Sequence, residues 1–218
     1  MKRSTLFSAV AGLVPMAAVA GNMMVDTGEE MGTHGDPYEG AVLLQECIFE
    51  AEEPYCSFIA GGATFYATWE APTPGYVLEA IGTLYQNAPL MLRADIISLG
   101  DVSADIAIHS FELDPDLDWF AETRGFLQGQ WMLAANPKYQ SHVDGSNVTE
   151  YADGQVQSEY VMELAHTCNG ANEQGPVLIA WANPWDDPAC LILDTVTPEQ
   201  IRARLVGGDG AQAIYIRP

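Results

Sequence analysis

Four cysteines are the side chains of this sequence whose chemistry depends most on their surroundings: Cys47, Cys56, Cys168 and Cys190. None of them belongs to a C-x-x-C pair, which argues against a thioredoxin-like or zinc-ribbon role. An even number of cysteines in an exported chain predicts two disulfides, and four cysteines allow three pairings. Proximity along the chain favours Cys47–Cys56 and Cys168–Cys190.

The histidines and methionines form no defined metal-binding motif. The histidines lack metal-ligand spacing, although His142 and His166 would approach each other near Glu163 if their strands paired. His109 lies in an alternating pattern that predicts a packed or surface position on a strand. An N-terminal group of soft ligands suits copper, but in no known spacing: Met23, Met24, Met31 and His34. We predict no metal site and no cofactor.

Catalytic motifs are also missing. The sequence contains neither G-x-S-x-G nor H-E-x-x-H. Asp114-x-Asp116-x-Asp118 begins like an EF-hand loop, but Trp119 stands where that loop needs glycine, so a loose surface contact with Ca²⁺ is the alternative. Residues 208–213 fit a dinucleotide fingerprint only in letters, because no βαβ unit surrounds them. We therefore predict no catalytic residue, and an enzyme with an unrecognised site stays an alternative.

Charge and the N-terminal residues indicate the compartment and exclude one class of partner. The chain has 30 acidic and 8 basic side chains, a formal net charge of −22. Such a charge repels phosphate backbones, so nucleic-acid binding is not expected. Residues 1–20 combine Lys2 and Arg3, a short apolar run and Ala18-Val19-Ala20, the pattern of a secretory signal peptide. We predict export to the periplasm or the extracellular space, without membrane insertion after cleavage.

The elements that must position these residues are mostly strands. Turn signals separate short apolar and β-branched runs, which predicts an all-β protein of two small antiparallel domains. The predicted organisation is a flexible lead-in (21–39), a β-rich domain of unknown family (40–113), an acidic linker (114–118) and a barrel domain (119–218). Within the second of these, Tyr76–Tyr85 is predicted as a strand. A short helix is predicted over Trp119–Leu127, with Asp118 as its N-cap, followed by eight strands that predict a closed barrel.

Two short motifs mark the ends of the predicted barrel. Gly129-Gln130-Trp131 opens its first strand, and Tyr215-Ile216-Arg217 closes its last strand. In both respects residues 118–218 resemble the lipocalin-like barrels of the calycin group, of the bacterial extracytoplasmic type. The resemblance implies that Arg217 packs across Trp131 in a cation–π contact at the barrel floor. The resemblance conflicts with one predicted disulfide. In such a barrel Cys168 and Cys190 would lie a strand length apart, unless the loop between His166 and Gly175 folds back.

The resemblance implies a non-enzymatic binding protein for a small apolar ligand or a protein partner. A ligand would lie in the barrel interior and mouth, lined by aromatic residues: Trp131, Tyr151, Tyr160 and Trp181. The alternative is an acidic interaction or inhibitor module that caps a cationic enzyme, where charge attraction would speed association.

Overall fold

The computed structural model describes residues 23–70, 72–168, 175–185 and 187–218. The predicted signal peptide, residues 1–20, lies outside these ranges. Within them the chain forms two consecutive β-barrels, which confirms the all-β prediction. No helix of the described ranges is long and apolar enough to cross a membrane.

The first barrel is built from residues 36–113, with one additional strand before it. Its elements are β1 (Met24–Asp26), β2 (Asp36–Ile48), β3 (Tyr55–Ala60), β4 (Ala63–Thr68), α1 (Gly75–Ile81), β5 (Pro89–Leu99) and β6 (Ser103–Leu113). Five strands close in the order β2-β3-β4-β6-β5, and only the β4–β6 pair within this ring is parallel. This five-stranded Greek-key arrangement is that of the OB-fold.

Helix α1 takes the place of the strand predicted over Tyr76–Tyr85. Val77, Leu78 and Ile81 are fully buried, and their spacing places them on one face of a helix. That face packs into the core of the first barrel together with Phe58. The strand prediction was wrong because a short apolar run does not distinguish a strand from a buried helical segment.

The segment predicted as a flexible lead-in is folded onto the first barrel from Met23 onward. Strand β1 pairs antiparallel with β6, and β2 already begins at Asp36. Between these strands, the buried carboxylate of Asp95 accepts hydrogen bonds from the N–H groups of Gly32 and His34, at 2.6 and 2.8 Å. The polar composition predicted a loop, but a carboxylate 61 or more residues away in sequence supplies the partners that order it.

The Cys47–Cys56 disulfide is confirmed within the first barrel. Its two residues lie directly opposite each other on β2 and β3, with their Cα atoms 4.0 Å apart. The bond therefore joins one antiparallel hairpin, as the nine-residue separation of the cysteines predicted. Cys56 is completely buried against the core of the barrel.

The acidic linker leads through one turn of 3₁₀ helix (Pro115–Leu117) into α2 (Ala121–Leu127). The helix begins two residues later than predicted, and its N-cap is Phe120 and not Asp118. Asp118 instead turns the chain before the helix, where its carboxylate accepts the N–H of Phe120 at 3.1 Å. Its carboxylate also faces the guanidinium of Arg124, with N···O distances of 3.2 and 3.3 Å. The linker is thus fastened to the helix that follows it.

The second barrel holds eight strands, the number that the sequence predicted. They are β7 (Gly129–Leu133), β8 (Tyr139–Asp144), β9 (Asn147–Ala152), β10 (Gln155–Ala165), β11 (Val177–Trp181), β12 (Ala189–Val196), β13 (Gln200–Leu205) and β14 (Gln212–Ile216). Each strand pairs antiparallel with the next, and β14 pairs with β7 to close the barrel. This architecture is consistent with the lipocalin-like resemblance.

The Cys168–Cys190 disulfide is also confirmed, and the strain expected for it is relieved on the outer wall of the second barrel. The Cα atoms of its cysteines lie 6.2 Å apart, within the usual range. Both cysteines pack with Val177 and Ile192 in a cluster separate from the core inside the barrel, which contains the alternate residue Leu178. Cys168, three residues after β10, therefore lies against β12 on the outside of the wall, and residues 169–174 of the loop predicted to fold back lie outside the described ranges. Two disulfides are typical of a non-reducing, exported environment.

Candidate binding clefts between the two barrels

Trp131 and Arg217, which the resemblance implies as a pair, lie together at the closure of the second barrel. The guanidinium carbon of Arg217 is 3.8 Å from the centroid of the Trp131 ring. Arg217 also donates to the carbonyl oxygens of Phe126, Gln130 and Pro198. The indole N–H of Trp131 donates to the Leu127 carbonyl oxygen at 2.6 Å. Arg217, which follows β14, thus holds the end of α2, strand β7 and the β12–β13 loop together.

The interior of the second barrel is filled by side chains. The cavity that remains is about 50 Å³, and its lining includes Trp131, Tyr160, Met162, Leu193 and Tyr215. Sites for drug-sized ligands have roughly 300–1,000 Å³. The interior therefore has no room for the small apolar ligand that the sequence placed there.

The other two aromatic residues predicted to line a ligand lie elsewhere. Tyr151 lines a separate pocket of about 130 Å³ beside Glu150, and Trp181 lies on the outer wall of the barrel. Glu150 accepts hydrogen bonds from Ser158 at 2.7 Å and from Tyr160 at 3.4 Å. Burial, followed by the Glu150 charge, raises the pKa of Tyr160. The Glu150 carboxylate and the Tyr160 hydroxyl therefore have their hydrogen-bond partners within the barrel.

A two-residue hairpin tip of the first barrel docks on the outer wall of the second. Gly61 and Gly62 join β3 to β4 with φ values of 58° and 74°, as a tight hairpin of two glycines requires. The N–H of Gly62 donates to the Glu163 carboxylate at 2.8 Å. A Cβ at Gly62 would lie only 2.4 Å from Cγ of Trp181, so the indole packs directly on the glycine backbone.

Gln45 of the first barrel clamps a second point of contact with the second barrel, the β8–β9 turn. Gln45 of β2 donates to the Asp144 carbonyl oxygen at 3.0 Å and accepts the Ser146 N–H at 2.9 Å. From the second barrel's own side, Gln128, which lies between α2 and β7, fixes the same turn through two bonds to the backbone of Gly145, at 3.1 and 2.8 Å. With the Gly61–Gly62 tip, this clamp leaves a groove between the barrels that the tip divides into two clefts.

The first cleft, on the Gly61 side, has a volume of about 470 Å³. Its walls are mainly apolar and come from both barrels and the linker: Leu43, Ile59, Pro89, Trp119, Phe120 and Leu164. His166 packs against the rings of Trp119 and Phe120, with centroid distances of 5.2 and 4.8 Å. Trp119 is 77% exposed, so much of its ring is open to solvent.

Arg124 and Glu163 supply the charged groups of the first cleft. Arg124 is buried, and its Nε and Nη2 atoms face Asp118. Its Nη1 atom is buried without a hydrogen-bond partner among the described residues. Burial raises the pKa of the Glu163 carboxyl, although the N–H groups of the tip and the charge of Arg124 act in the opposite direction.

The second cleft, on the Gly62 side, has a volume of about 420 Å³ and more polar walls. Strand β4 and the β5–β6 loop line one side through Thr64 and Val102. The outer faces of β8 to β11 line the other side with His142, Asp144, Asn147, Thr149, Glu159 and Trp181. Nδ1 of His142 and Nε1 of Trp181 are buried without a hydrogen-bond partner in the described part of the chain.

The histidines that the sequence analysis considered as possible neighbours do not share a site. His166 lines the first cleft together with Glu163, whereas His142 lines the second. Among the described residues, no group of three or more His, Cys, Asp and Glu side chains has an arrangement that could hold a metal ion. His34 and His109 instead lie beside Asp95 in the first barrel.

Sequence reasoning did not identify Arg124, Asp118 and Trp119 as parts of one site. Asp118 and Arg124 are six residues apart, a spacing that does not place two side chains on the same face of a helix. They meet because the chain turns between Asp118 and the start of α2. The only sequence signal was the proximity of a lone arginine to an acidic linker.

Comparisons of the chain with models of protein families, with curated proteins and with solved structures found no match.

Proposed function

We propose that this protein is an exported, non-enzymatic binding protein of lipocalin-like architecture. It holds a small apolar ligand with an oxygen-bearing head group in the first cleft between its barrels. The buried and unpartnered Nη1 of Arg124, in a largely apolar cleft of about 470 Å³, carries this proposal. Binding sites commonly lie at domain interfaces and combine apolar walls with a few polar groups that orient the ligand.

The available volumes favour a ligand site outside the second barrel. The interior leaves about 50 Å³, whereas the first cleft is about nine times larger and opens to solvent beside Trp119. An apolar ligand in the cleft would cover the exposed part of the Trp119 ring and the adjoining wall. Removing this apolar surface from water is the main driving force for binding.

The chemistry of the ligand's head group follows from the hydrogen-bond donors of Arg124. Asp118 occupies Nε and Nη2 of Arg124, so Nη1 has donors left for a ligand. A carboxyl or carbonyl oxygen fits them, because a guanidinium donates and never accepts. The Glu163 carboxyl also lines the cleft, and burial raises its pKa. An ammonium head group would instead face Arg124.

The experiment compares three ligands that share one tail: dodecanoic acid, dodecanol and dodecylamine. Calorimetric titration of the disulfide-bonded protein is expected to show binding of the acid, weaker binding of the alcohol and none of the amine. Trp119→Ala should weaken binding of the acid by about tenfold, since it removes a large apolar contact. The matched control is Trp185→Ala, which changes another highly exposed tryptophan that does not line the cleft.

Two outcomes contradict the proposal. The first is that none of the three ligands binds. The second is that the acid binds equally well to the wild type and to Trp119→Ala, which would place it elsewhere.

A further inference from the structure

A small pocket lies at one end of the second barrel, where strands β7, β8, β9, β10 and β14 contribute to its walls. We call it the rim pocket, and its volume is about 130 Å³. Ser141 and Tyr215 line both the rim pocket and the small cavity of the filled interior, so the two spaces adjoin. The rim pocket is therefore the space that remains at this end of the barrel beyond its packed core.

The Glu150 side chain belongs to the inward face of the barrel at this end. Glu150 pairs with Ser141 two residues along the β8–β9 ladder from the pair of Val143 and Val148, which belongs to the core inside the barrel. Alternate residues of a strand share a face, so Glu150 lies on the same face as Val148. A carboxylate thus lines the rim pocket directly next to the apolar core.

The Glu150 carboxylate forms no ion pair within the described part of the chain. Its hydrogen bonds come from two neutral hydroxyls, those of Ser158 and Tyr160. Lys138, which precedes the strand at the edge of the pocket, pairs instead with Asp153 at 2.7 Å. A carboxylate has about four lone-pair sites, so charge and acceptor capacity are left for a ligand.

Tyrosines make up much of the remaining wall: Tyr139, Tyr151 and Tyr215. Leu133 adds aliphatic surface to it. Burial, followed by the charge of Glu150, raises the pKa of Tyr215, which is consistent with a carboxylate close to this phenol. The face of an aromatic ring carries partial negative charge and attracts a cation. A carboxylate and three tyrosines in one pocket therefore favour a positively charged ligand.

The chemistry of the walls distinguishes between kinds of cation. Ca²⁺ takes six to eight oxygen ligands, and no group of three or more His, Cys, Asp and Glu side chains in the described ranges could hold a metal ion. A primary ammonium is strongly hydrated and has three donors, for which ring faces are poor partners. The methyl groups of a quaternary ammonium instead pack on aromatic rings and on aliphatic surface.

The size of the rim pocket agrees with such a group. A water molecule occupies about 30 Å³ in the liquid, so about 130 Å³ holds a group of four or five non-hydrogen atoms. A trimethylammonium group with its first methylene carbon has five. The formal net charge of −22 also raises the concentration of cations near the protein.

From these observations we infer that the rim pocket binds a quaternary ammonium head group, with Glu150 as its counter-ion and Tyr139 and Tyr215 as aromatic walls. This site is independent of the first cleft. Strand β10 contributes Gln157 to the rim pocket and Glu163 to the first cleft, six residues or about 20 Å apart along the strand.

The test uses the full disulfide-bonded protein and three probes of similar size: choline, 3,3-dimethylbutan-1-ol and ethanolamine. The second probe has the shape of choline without its charge, and the third has the charge without the methyl groups. Calorimetric titration is expected to show binding of choline, and binding of the other two that is weaker by about tenfold or more. Equal affinity of choline and either other probe would overturn the inference, as would absence of choline binding.

Two variants locate the bound choline. Glu150→Gln keeps the size of the side chain and removes its charge, and should weaken choline binding by about tenfold or more. Tyr139→Leu removes one ring from a side chain that is 51% exposed, and should weaken binding in the same direction. Melting temperatures verify that both variants fold.

Glu159→Gln is the matched control, because it removes one charge from the same barrel and Glu159 lines the second cleft. Its affinity for choline should equal that of the wild type. The inference is overturned if Glu150→Gln and Glu159→Gln weaken binding equally, which indicates general attraction, or if Tyr139→Leu binds choline like the wild type. Dodecanoic acid binding in Glu150→Gln reports separately on the first cleft, so the two proposals fail independently.

Discussion

Asp95 is a fully buried carboxylate on β5 whose partners are backbone N–H groups and an imidazole. Nε2 of His109, also buried, lies 2.9 Å from its Oδ2. Burial by itself raises the pKa of a carboxyl, but the Gly32 and His34 N–H groups and His109 favour the charged form more strongly. Together they lower the Asp95 pKa to about 2. The charged Asp95 carboxylate therefore holds the segment between β1 and β2 against the first barrel.

Asp95→Asn is expected to remove a pH-dependent part of the stability. Because the folded-state pKa lies below the ordinary value, the contribution is present above about pH 4 and is lost as pH falls toward 2. The shift corresponds to about 2 kcal/mol of unfolding free energy at neutral pH. Urea denaturation of wild type and variant between pH 2 and pH 7 measures it.

Asp36→Asn serves as the control for this change, because Asp36 is an exposed carboxylate on the strand next to Asp95. Its unfolding free energy should follow the wild-type pH profile. A constant difference between wild type and Asp95→Asn across the whole pH range would show that the carboxylate charge has no part in the stabilisation.

At the scale of elements, the β3–β4 hairpin decides how the two barrels meet. Its two-glycine tip is short enough to fit between Glu163 and Trp181, and the positive φ angles of both residues favour glycine. The sequence pair Gly61-Gly62 marked a break between strands, but it contained no sign of the surface on which the tip docks. That surface lies about one hundred residues later in the chain.

Substitution of the two tip glycines separates backbone strain from docking. Ala at either position is strained by a positive φ, which costs about 1 kcal/mol. At Gly62 the new Cβ would also lie 2.4 Å from the Trp181 ring, whereas nothing lies within 4 Å at Gly61. Gly62→Ala should therefore lower the unfolding free energy by about 2–4 kcal/mol, and Gly61→Ala by about 1 kcal/mol.

Urea denaturation of the two variants measures this difference, and Gly61→Ala is the internal control for strain. Equal losses at the two positions would contradict the docking of the tip on Trp181. Limited proteolysis of the linker gives a second readout, since Gly61 of the tip and Asp118 of the linker line the same cleft.

At the scale of the whole molecule, a formal net charge of −22 is spread over two compact barrels. Like charges in a compact state repel each other, and salt screens that repulsion. The melting temperature should therefore rise between about 0.01 M and 1 M NaCl, where the screening length falls from about 30 Å to about 3 Å. Thermal unfolding followed by circular dichroism measures the rise.

A charge-reduced variant tests the origin of this salt effect. Glu52 and Glu53 are exposed, so the double variant Glu52→Lys and Glu53→Lys should show a smaller dependence on NaCl. An unchanged or steeper dependence in this variant would argue against general repulsion. CaCl₂ at equal ionic strength should act like NaCl if no specific divalent site contributes.

The elements that sequence reasoning predicted well are those whose signals are local. The eight strands of the second barrel follow turn signals such as Asp144-Gly145 and Asp153-Gly154, and the Cys47–Cys56 disulfide follows from short separation along the chain. Helix α1 and the folded N-terminal segment were missed. Their stability comes from the first-barrel core and from Asp95, which are distant in sequence.

The sequence by itself determined the composition of the parts: an acidic all-β chain, two disulfides and the two ends of an eight-stranded barrel. Only the tertiary structure decided where a ligand has room, because that depends on how side chains fill the barrel and how two barrels dock. Leu193, Met162 and Tyr160 fill the interior, and the Gly61–Gly62 tip divides the groove between the barrels into two clefts. The docking of the tip joins residues about one hundred positions apart, and no local pattern encodes it.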